Sequence, residues 1–275
     1  MSMKIAVSTD NHFDVSRIDP QEAVSRQAAY LRAQHVAVYV NGGDTFNDFT
    51  QTLRYFQELQ RLVGPRTQVR FIAGNHDLVK GISYVGAQSA LSPLYLHEQT
   101  LTLPGTDTVI IGNNGWYDYT LAPAALRAHK TPADFEQWKQ AYWIDRNIDS
   151  PVGDQAREAR VLATTEHALQ AAAGKRVIYV THFVPTQQLM GAIPDKARWQ
   201  MVTALMGSAR LGELLERYHV ADVVFGHLHR RDLPLTLDHT TYHHQPMGYG
   251  LDRLMEWDSP DWFEQWTKTL VWLTA

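Results

Sequence analysis

The chain contains no cysteine among its 275 residues. This absence excludes disulfide bonds, thiolate zinc sites, iron–sulfur clusters and a cysteine nucleophile. Any metal site must therefore take nitrogen and oxygen ligands, and the sequence supplies 13 histidines and 29 carboxylates for that purpose.

Long hydrophobic runs and an excess of positive charge are also missing. No apolar stretch approaches the roughly 20 residues of a membrane span, and Asp10 follows an apolar start too short for a signal-peptide core. We therefore expect a cytoplasmic protein that does not associate with a membrane. The formal net charge of −4 gives no general field for binding nucleic acid. Disorder is excluded by a composition of 44% apolar and 20% charged residues.

The first 75 residues alternate between short apolar runs and helix signals. The apolar runs predict strands at residues 4–8, 36–41 and 69–73, and capping residues with helical periodicity predict helices at 20–34 and 48–63. This alternation is typical of a parallel or mixed sheet with helices packed on it.

The rest of the chain is less regular. Helices are predicted near residue 132, at 154–173 and at 208–218; strands are predicted at 94–103, 109–112, 176–181, 220–225, 235–237, 241–244 and 269–273. No repeat or linker interrupts the sequence, so we expect a single domain over residues 1–275. Residues 113–155 read as a helical, aromatic-rich insertion near the site.

Five of the predicted strands are followed by polar motifs. Because ligands gather at the carboxyl ends of parallel strands, these motifs are expected to converge on one crevice. They are Asp10-Asn11-His12, Gly42-Gly43-Asp44 with Asn47, Gly74-Asn75-His76-Asp77, Thr181-His182 and Gly226-His227-Leu228-His229.

Within these motifs, seven side chains have the chemistry of metal ligands. Asp44 carries a carboxylate that can bridge two cations, and Asn75 adds a neutral oxygen. Mixed imidazole and carboxylate ligands suit manganese, iron or zinc better than calcium or magnesium. The set is large enough for two divalent or transition-metal ions (Mn²⁺, Fe²⁺/Fe³⁺ or Zn²⁺), and its members are Asp10, His12, Asp44, Asn75, His182, His227 and His229.

Together, the five motifs resemble those of the calcineurin-like metallophosphoesterase superfamily, in the same order from residue 10 to residue 229. The resemblance implies an α/β fold, a four-layer αββα sandwich of two mixed sheets flanked by helices. It also implies hydrolysis of a phosphoester by a metal-bridging hydroxide, with His76 as the general acid. One metal would be bound by Asp10, His12, Asp44 and His229, and the other by Asp44, Asn75, His182 and His227.

Three departures separate this sequence from the phosphoprotein phosphatase branch of that superfamily. Asn47 stands where that branch has an aspartate that orients the catalytic histidine, and the arginine that would grip phosphate is missing. Asp77 also replaces a glutamate. We therefore expect a small-molecule phosphodiester or phosphomonoester as substrate, with Asn47 holding His76 through a neutral hydrogen bond.

Several assignments stay open at this stage. Candidate substrate contacts are Asn75, His76, Trp116 and Tyr117, although packing of the insertion on the core also explains the two aromatic residues. His243 and His244 are candidates for a supporting role, and Lys196, Arg198 and Trp199 belong to the substrate rim or to a surface loop. The alternative functions are a nuclease and a catalytically silent metal-binding scaffold, and the oligomeric state is not predicted.

Overall fold

A computed structural model describes residues 3–192, 194 and 196–275. Within these residues, the chain forms ten strands and ten α-helices. The strands are β1 (Lys4–Ser8), β2 (Val38–Gly42), β3 (Gln68–Ile72), β4 (Gln99–Thr102), β5 (Thr108–Gly112), β6 (Arg176–Val180), β7 (Asp222–Phe225), β8 (Leu235–Leu237), β9 (Thr240–His244) and β10 (Val271–Thr274). The helices are α1 (Pro20–Ala33), α2 (Phe49–Val63), α3 (Asn75–Leu78), α4 (Tyr84–Ala87), α5 (Ala124–Arg127), α6 (Pro132–Tyr142), α7 (Asp154–Ala171), α8 (Ala197–Thr203), α9 (Ala209–Arg217) and α10 (Trp262–Lys268).

The strands form two mixed sheets. The first has four strands in the order β10-β1-β2-β3, in which only β10 is antiparallel to its neighbour. The second has six strands in the order β4-β5-β6-β7-β9-β8, with β4 and β8 as antiparallel edges around a parallel centre. The two parallel centres give each sheet an edge at which several strands end together.

The two sheets pack face to face between outer helices. Alternate residues of β1 and β2, such as Ile5 and Val40, meet Ile178 and Val224 of the second sheet in one buried cluster. The opposite face of the first sheet packs against α1, α2 and α10, and the opposite face of the second packs against α7 and α9. Because both faces of the central strands are buried, they read as nearly continuous apolar runs. This is the expected sandwich of two mixed sheets flanked by helices.

The predicted elements of the first 75 residues are found with shifts of one or two residues at their ends. The predicted strand at 94–103 is shorter, because only Gln99–Thr102 pairs continuously with β5. The short helices α3, α4, α5, α8 and α10 were not expected. Asp261, whose side chain accepts from the backbone N–H of Glu264, is the capping signal from which α10 could have been located. Across the described residues, no helix combines the length and hydropathy that a bilayer crossing requires.

Candidate metal centre

Loops at the carboxyl ends of β1, β2, β3, β6 and β7 bring the seven predicted ligand residues to one place. Five of them are buried, and His227 and His229 are half-buried. Donor atoms of Asp10, His12 and His229 lie within 4.8 Å of one another, and so do donor atoms of Asp44, His182 and His227. Asn75 contacts both histidines of the second group. We call Asp10, His12 and His229 the first cluster, and Asn75, His182 and His227 the second cluster. Asp44 lies between the two clusters.

In the first cluster, the two imidazoles face each other. The Nε2 atoms of His12 and His229 are 3.1 Å apart, and His229 Nε2 lies 3.3 Å from Asp10 Oδ1. Asp44 Oδ2 is 3.5 Å from His12 Nε2. The loops that follow β1 and β7 thus bring three donor side chains to one small volume beside Asp44.

In the second cluster, the side-chain oxygen of Asn75 is the common contact. Asn75 Oδ1 lies 3.2 Å from His182 Nε2 and 3.1 Å from His227 Nδ1. Asp44 Oδ2 is 3.3 Å from His182 Nε2, so the same carboxylate oxygen approaches an imidazole of each cluster. This position suits Asp44 to a bridging role.

The backbone at these positions is unusual. Asp10, His12, Asp44 and His227 all have positive φ angles, between 44° and 68°, in the left-handed region that residues other than glycine seldom adopt. Neighbouring glycines make room for the carboxylates. A Cβ at Gly74 would lie 2.1 Å from Asp44 Oδ1, and a Cβ at Gly226 would lie 2.1 Å from Asp10 Oδ2. The glycines before Asn75 and His227 are therefore required by close approach.

Charges within the centre are mixed. Burial disfavours ionised Asp10, but its hydrogen bond with His229 and the charges of the histidines hold its pKa below the usual value. Burial also opposes the charge of His229, yet contacts with Asp10 and Glu256 raise its pKa to about 10. Against the same burial, Asp44 raises the pKa of His182 to about 9. Burial lowers the pKa of His12 well below its usual value and that of His227 to about 3. The carboxylates thus favour positive charge at this centre. A divalent cation bound here would take the place of a proton on the imidazole that it contacts, because a ligating histidine is neutral.

The donor set fits two metal ions. Each cluster, together with Asp44, offers four nitrogen and oxygen donors, and neutral imidazole with carboxylate is a common ligand combination for manganese, iron and zinc. His76 also has a ring nitrogen within 4.8 Å of donor atoms of His12 and Asp44, so it lies at the edge of the same volume.

His76 is held on both sides of its ring. Its Nδ1 lies 2.6 Å from Asn47 Oδ1, and its Nε2 lies 3.1 Å from the hydroxyl of Tyr249. Asn47 Nδ2 in turn donates to Asp14 Oδ2 over 2.9 Å. Burial lowers the pKa of His76, and the charge of Asp44 works against that shift. The expected contact between Asn47 and His76 is present, and Tyr249 is a contact that the motifs did not indicate.

Two further carboxylates fix ligand side chains from outside the motifs. Glu256 Oε2 lies 2.8 Å from Nδ1 of His229, opposite the nitrogen that faces the first cluster. Asp145 Oδ1 accepts from Asn75 Nδ2 over 2.7 Å, which turns the amide oxygen of Asn75 toward the histidines of the second cluster. Burial raises the pKa of Asp145 to about 6, against the hydrogen bonds from Asn75 and Tyr117. No spacing rule connects either carboxylate to its histidine or asparagine.

The structure places Trp116 and Tyr117 differently from the expectation that they contact substrate. Their side chains are 1% and 0% exposed and stack on each other with ring centroids 4.6 Å apart. The Trp116 indole donates to Asp154 over 2.8 Å, and the Tyr117 hydroxyl donates to Asp145 over 3.0 Å. Both rings therefore belong to the core, because packing of the insertion buries them. This part of the prediction is corrected: Tyr117 contacts Asp145, which in turn contacts Asn75 of the centre.

Three of the remaining open candidates have different surroundings. His243 contacts Asp222 at 2.8 Å, and His244 contacts Asp232 at 2.9 Å, so both are paired with carboxylates outside the clusters. Trp199, in α8, lines a cavity of about 710 Å³ that opens beside Asp44, His76 and both clusters. This cavity is the space in which a substrate can reach the centre.

Comparisons with known proteins agree with this architecture. A profile of the calcineurin-like phosphoesterase family matches residues 3–231. The chain resembles the crystal structure of phosphopantetheinyl hydrolase from Mycobacterium tuberculosis, with 15% identity and a TM-score of 0.68 over 99% of this chain and 96% of that one. It also resembles a dimetal phosphatase from Danio rerio, with 11% identity and a TM-score of 0.51 over 89% and 87% of the two chains. No curated protein matches by sequence. Since the family profile covers most of its length, the chain belongs to the calcineurin-like phosphoesterase family.

Proposed function

We propose that this protein hydrolyses a small-molecule phosphoester at a centre of two metal ions. The family supports metal-dependent phosphoester hydrolysis as the reaction class. The observation that carries the proposal is the position of Asp44, whose Oδ2 lies 3.5 Å from His12 Nε2 and 3.3 Å from His182 Nε2. A shared carboxylate between two ligand clusters is the arrangement that a dinuclear site requires.

Each cluster is proposed to bind one cation. Asp10, His12, Asp44 and His229 would hold one, and Asp44, Asn75, His182 and His227 would hold the other. Two such cations, when bound, would supply an activated water and stabilise charge on the attacking and leaving oxygens. Manganese, iron and zinc are the metals that this donor set favours.

His76 is the proposed general acid. Its Nε2 lies on the cavity side near Tyr249, where the oxygen of a leaving alcohol can accept a proton. Asn47 Oδ1 contacts Nδ1 and so fixes the plane of the ring. Because Asn47 is uncharged, it orients His76 without the increase in basicity that a carboxylate would give. This neutral contact, and the missing arginine, support a small-molecule ester over a phosphoprotein as substrate.

The direct experiment measures metal content and turnover together. The purified protein is loaded with manganese, its bound metal is counted, and hydrolysis of a chromogenic phosphomonoester and a phosphodiester is followed. We expect two metal ions per chain and metal-dependent turnover of at least one ester. Fewer than one ion per chain after loading would contradict the metal centre, and two ions without any turnover would favour a silent scaffold.

Replacing His76 separates catalysis from metal binding. His76→Ala is expected to keep both metal ions and to lower turnover by about 10²–10⁴-fold, the usual contribution of general acid–base catalysis. His167→Ala is the matched control, since this histidine is exposed on α7 and lies outside the centre. Loss of metal in the first variant would instead make His76 a ligand.

A further inference from the structure

The cavity beside the metal centre has two chemically different parts. One part is formed by polar residues of the centre, among them Asp44, Asn75 and His229. The other part is formed by Trp143 and Ile144, by residues of α8, and by Met190, Ala192 and Pro194. The centre occupies one side of the cavity, which leaves the other side to contact the rest of a bound ester.

That second part is mostly apolar. Its lining residues include Trp143, Ile144, Met190, Trp199, Val202 and Met206. Met190, Val202 and Met206 are buried, whereas Trp199 is 51% exposed and has apolar surface free to contact a ligand. Apolar groups that line a concave site are typical of a ligand-binding surface.

The charge of this part is already neutralised. Among the described lining residues outside the metal centre and His76, Arg230 is the one cation. Its Nε and Nη2 each donate to Asp232 over 3.0 Å, and Nη2 also donates to the backbone oxygen of Leu189 over 2.8 Å. A second phosphate or a carboxylate in the cavity would therefore lose its hydration without gaining an ionic partner.

We propose that this apolar part binds an uncharged, largely apolar alcohol group of the phosphoester, while the phosphoryl group lies at the metal centre. This inference rests on the proposed function and specifies its substrate class. A nucleoside polyphosphate or a sugar bisphosphate is disfavoured, because its additional charges would meet the apolar wall. Each methylene group placed against that wall should improve binding by about two- to fourfold until the cavity is filled.

The test uses n-alkylphosphonates with one, four and eight carbons, which are not hydrolysed. Calorimetric titration of the manganese-loaded protein is expected to give a dissociation constant that falls with each added methylene. An eight-carbon phosphonate with a terminal carboxylate is expected to lose most of that gain. Equal affinities across the series, or tighter binding of the carboxylate-terminated ligand, would overturn the proposal.

A pair of tryptophan variants locates the effect. Trp199→Ala should reduce the gain per methylene while leaving the affinity for methylphosphonate and the metal content unchanged. Trp272→Ala is the matched control, because Trp272 is 37% exposed on the edge strand β10 and does not line the cavity. Equal weakening of methylphosphonate in Trp199→Ala would show that the residue acts on the metal centre, which contradicts the proposal.

These measurements distinguish the inference from the function on which it rests. If the chromogenic esters are hydrolysed but alkyl chain length has no effect on phosphonate binding, the substrate class is wrong and the reaction class stands. If affinity grows with chain length while no metal is bound and no ester is hydrolysed, the apolar subsite stands and the proposed reaction is wrong.

Discussion

The two ligand clusters share Asp44 but are held in place by different means. In the first cluster, Glu256 contacts His229 from a loop in which its own side chain is 18% exposed. In the second cluster, Asp145, which is 3% exposed, orients the neutral amide of Asn75 from within the core. We therefore expect metal binding to depend more on negative charge in the first cluster and more on a fixed amide geometry in the second.

The largest effect is expected at the residue that both clusters share. Asp44→Ala removes the carboxylate that contacts an imidazole of each cluster, His12 in the first and His182 in the second. We expect bound metal to fall from two ions to fewer than one and turnover to fall to background. Metal analysis and the chromogenic assay measure both. Asp107→Ala, at an exposed turn, is the control. Turnover that survives Asp44→Ala would contradict the shared site.

The second cluster can be weakened separately through Asp145. Asp145→Ala frees the amide of Asn75 to rotate, so its oxygen no longer has to face His182 and His227. Loss of a residue that orients a ligand typically costs about 10–100-fold in metal affinity. Metal titration should therefore show one weakened equivalent and one unchanged. Equal loss of both equivalents would remove the distinction between the clusters.

The candidate ligands could be proposed from sequence because they follow strands directly. In three of the five motifs a glycine precedes the polar residue, and parallel strands bring the motifs to one edge. The residues that orient these side chains could not be predicted in this way. Asp145 is 70 residues from Asn75, and Glu256 is 27 residues from His229, so their contacts depend on how long connecting segments pack. Tyr249 reaches His76 across 173 residues for the same reason.

The same distinction applies to the fold. The sheets and α1, α2, α7 and α9 have clear periodicity or caps, and they were predicted within a few residues. The insertion was recognised from its aromatic content, but composition alone does not show whether an aromatic side chain is buried in the core or lines the cavity. Trp116 and Tyr117 were placed near substrate for that reason, whereas the packing of α6 and α7 encloses them. The single domain and the cytoplasmic location stay predictions.

A smaller effect tests charge against geometry directly. Glu256→Gln keeps an oxygen beside His229 Nδ1 but removes the charge, and we expect about a tenfold loss of affinity in the first cluster. Asp145→Asn also keeps an acceptor for Asn75, and we expect less than about a threefold loss in the second cluster, since geometry is retained. Stepwise metal titration of the two variants makes the comparison. Equal losses of metal affinity in the two variants would show that both clusters depend on charge to the same extent.

A small effect on turnover, with no effect on metal binding, is expected from Tyr249, whose hydroxyl contacts the ring nitrogen of His76 that faces the cavity. A neutral hydrogen bond contributes about 0.5–1.5 kcal/mol, so Tyr249→Phe should lower kcat by about two- to twelvefold and leave both metal ions bound. Tyr142→Phe is the control, because Tyr142 lines the same cavity with a side chain that is 68% exposed. Steady-state kinetics with metal analysis separates the outcomes. A loss as large as that of His76→Ala would mean that Tyr249 itself transfers the proton, and the assignment of His76 as the general acid would then be wrong.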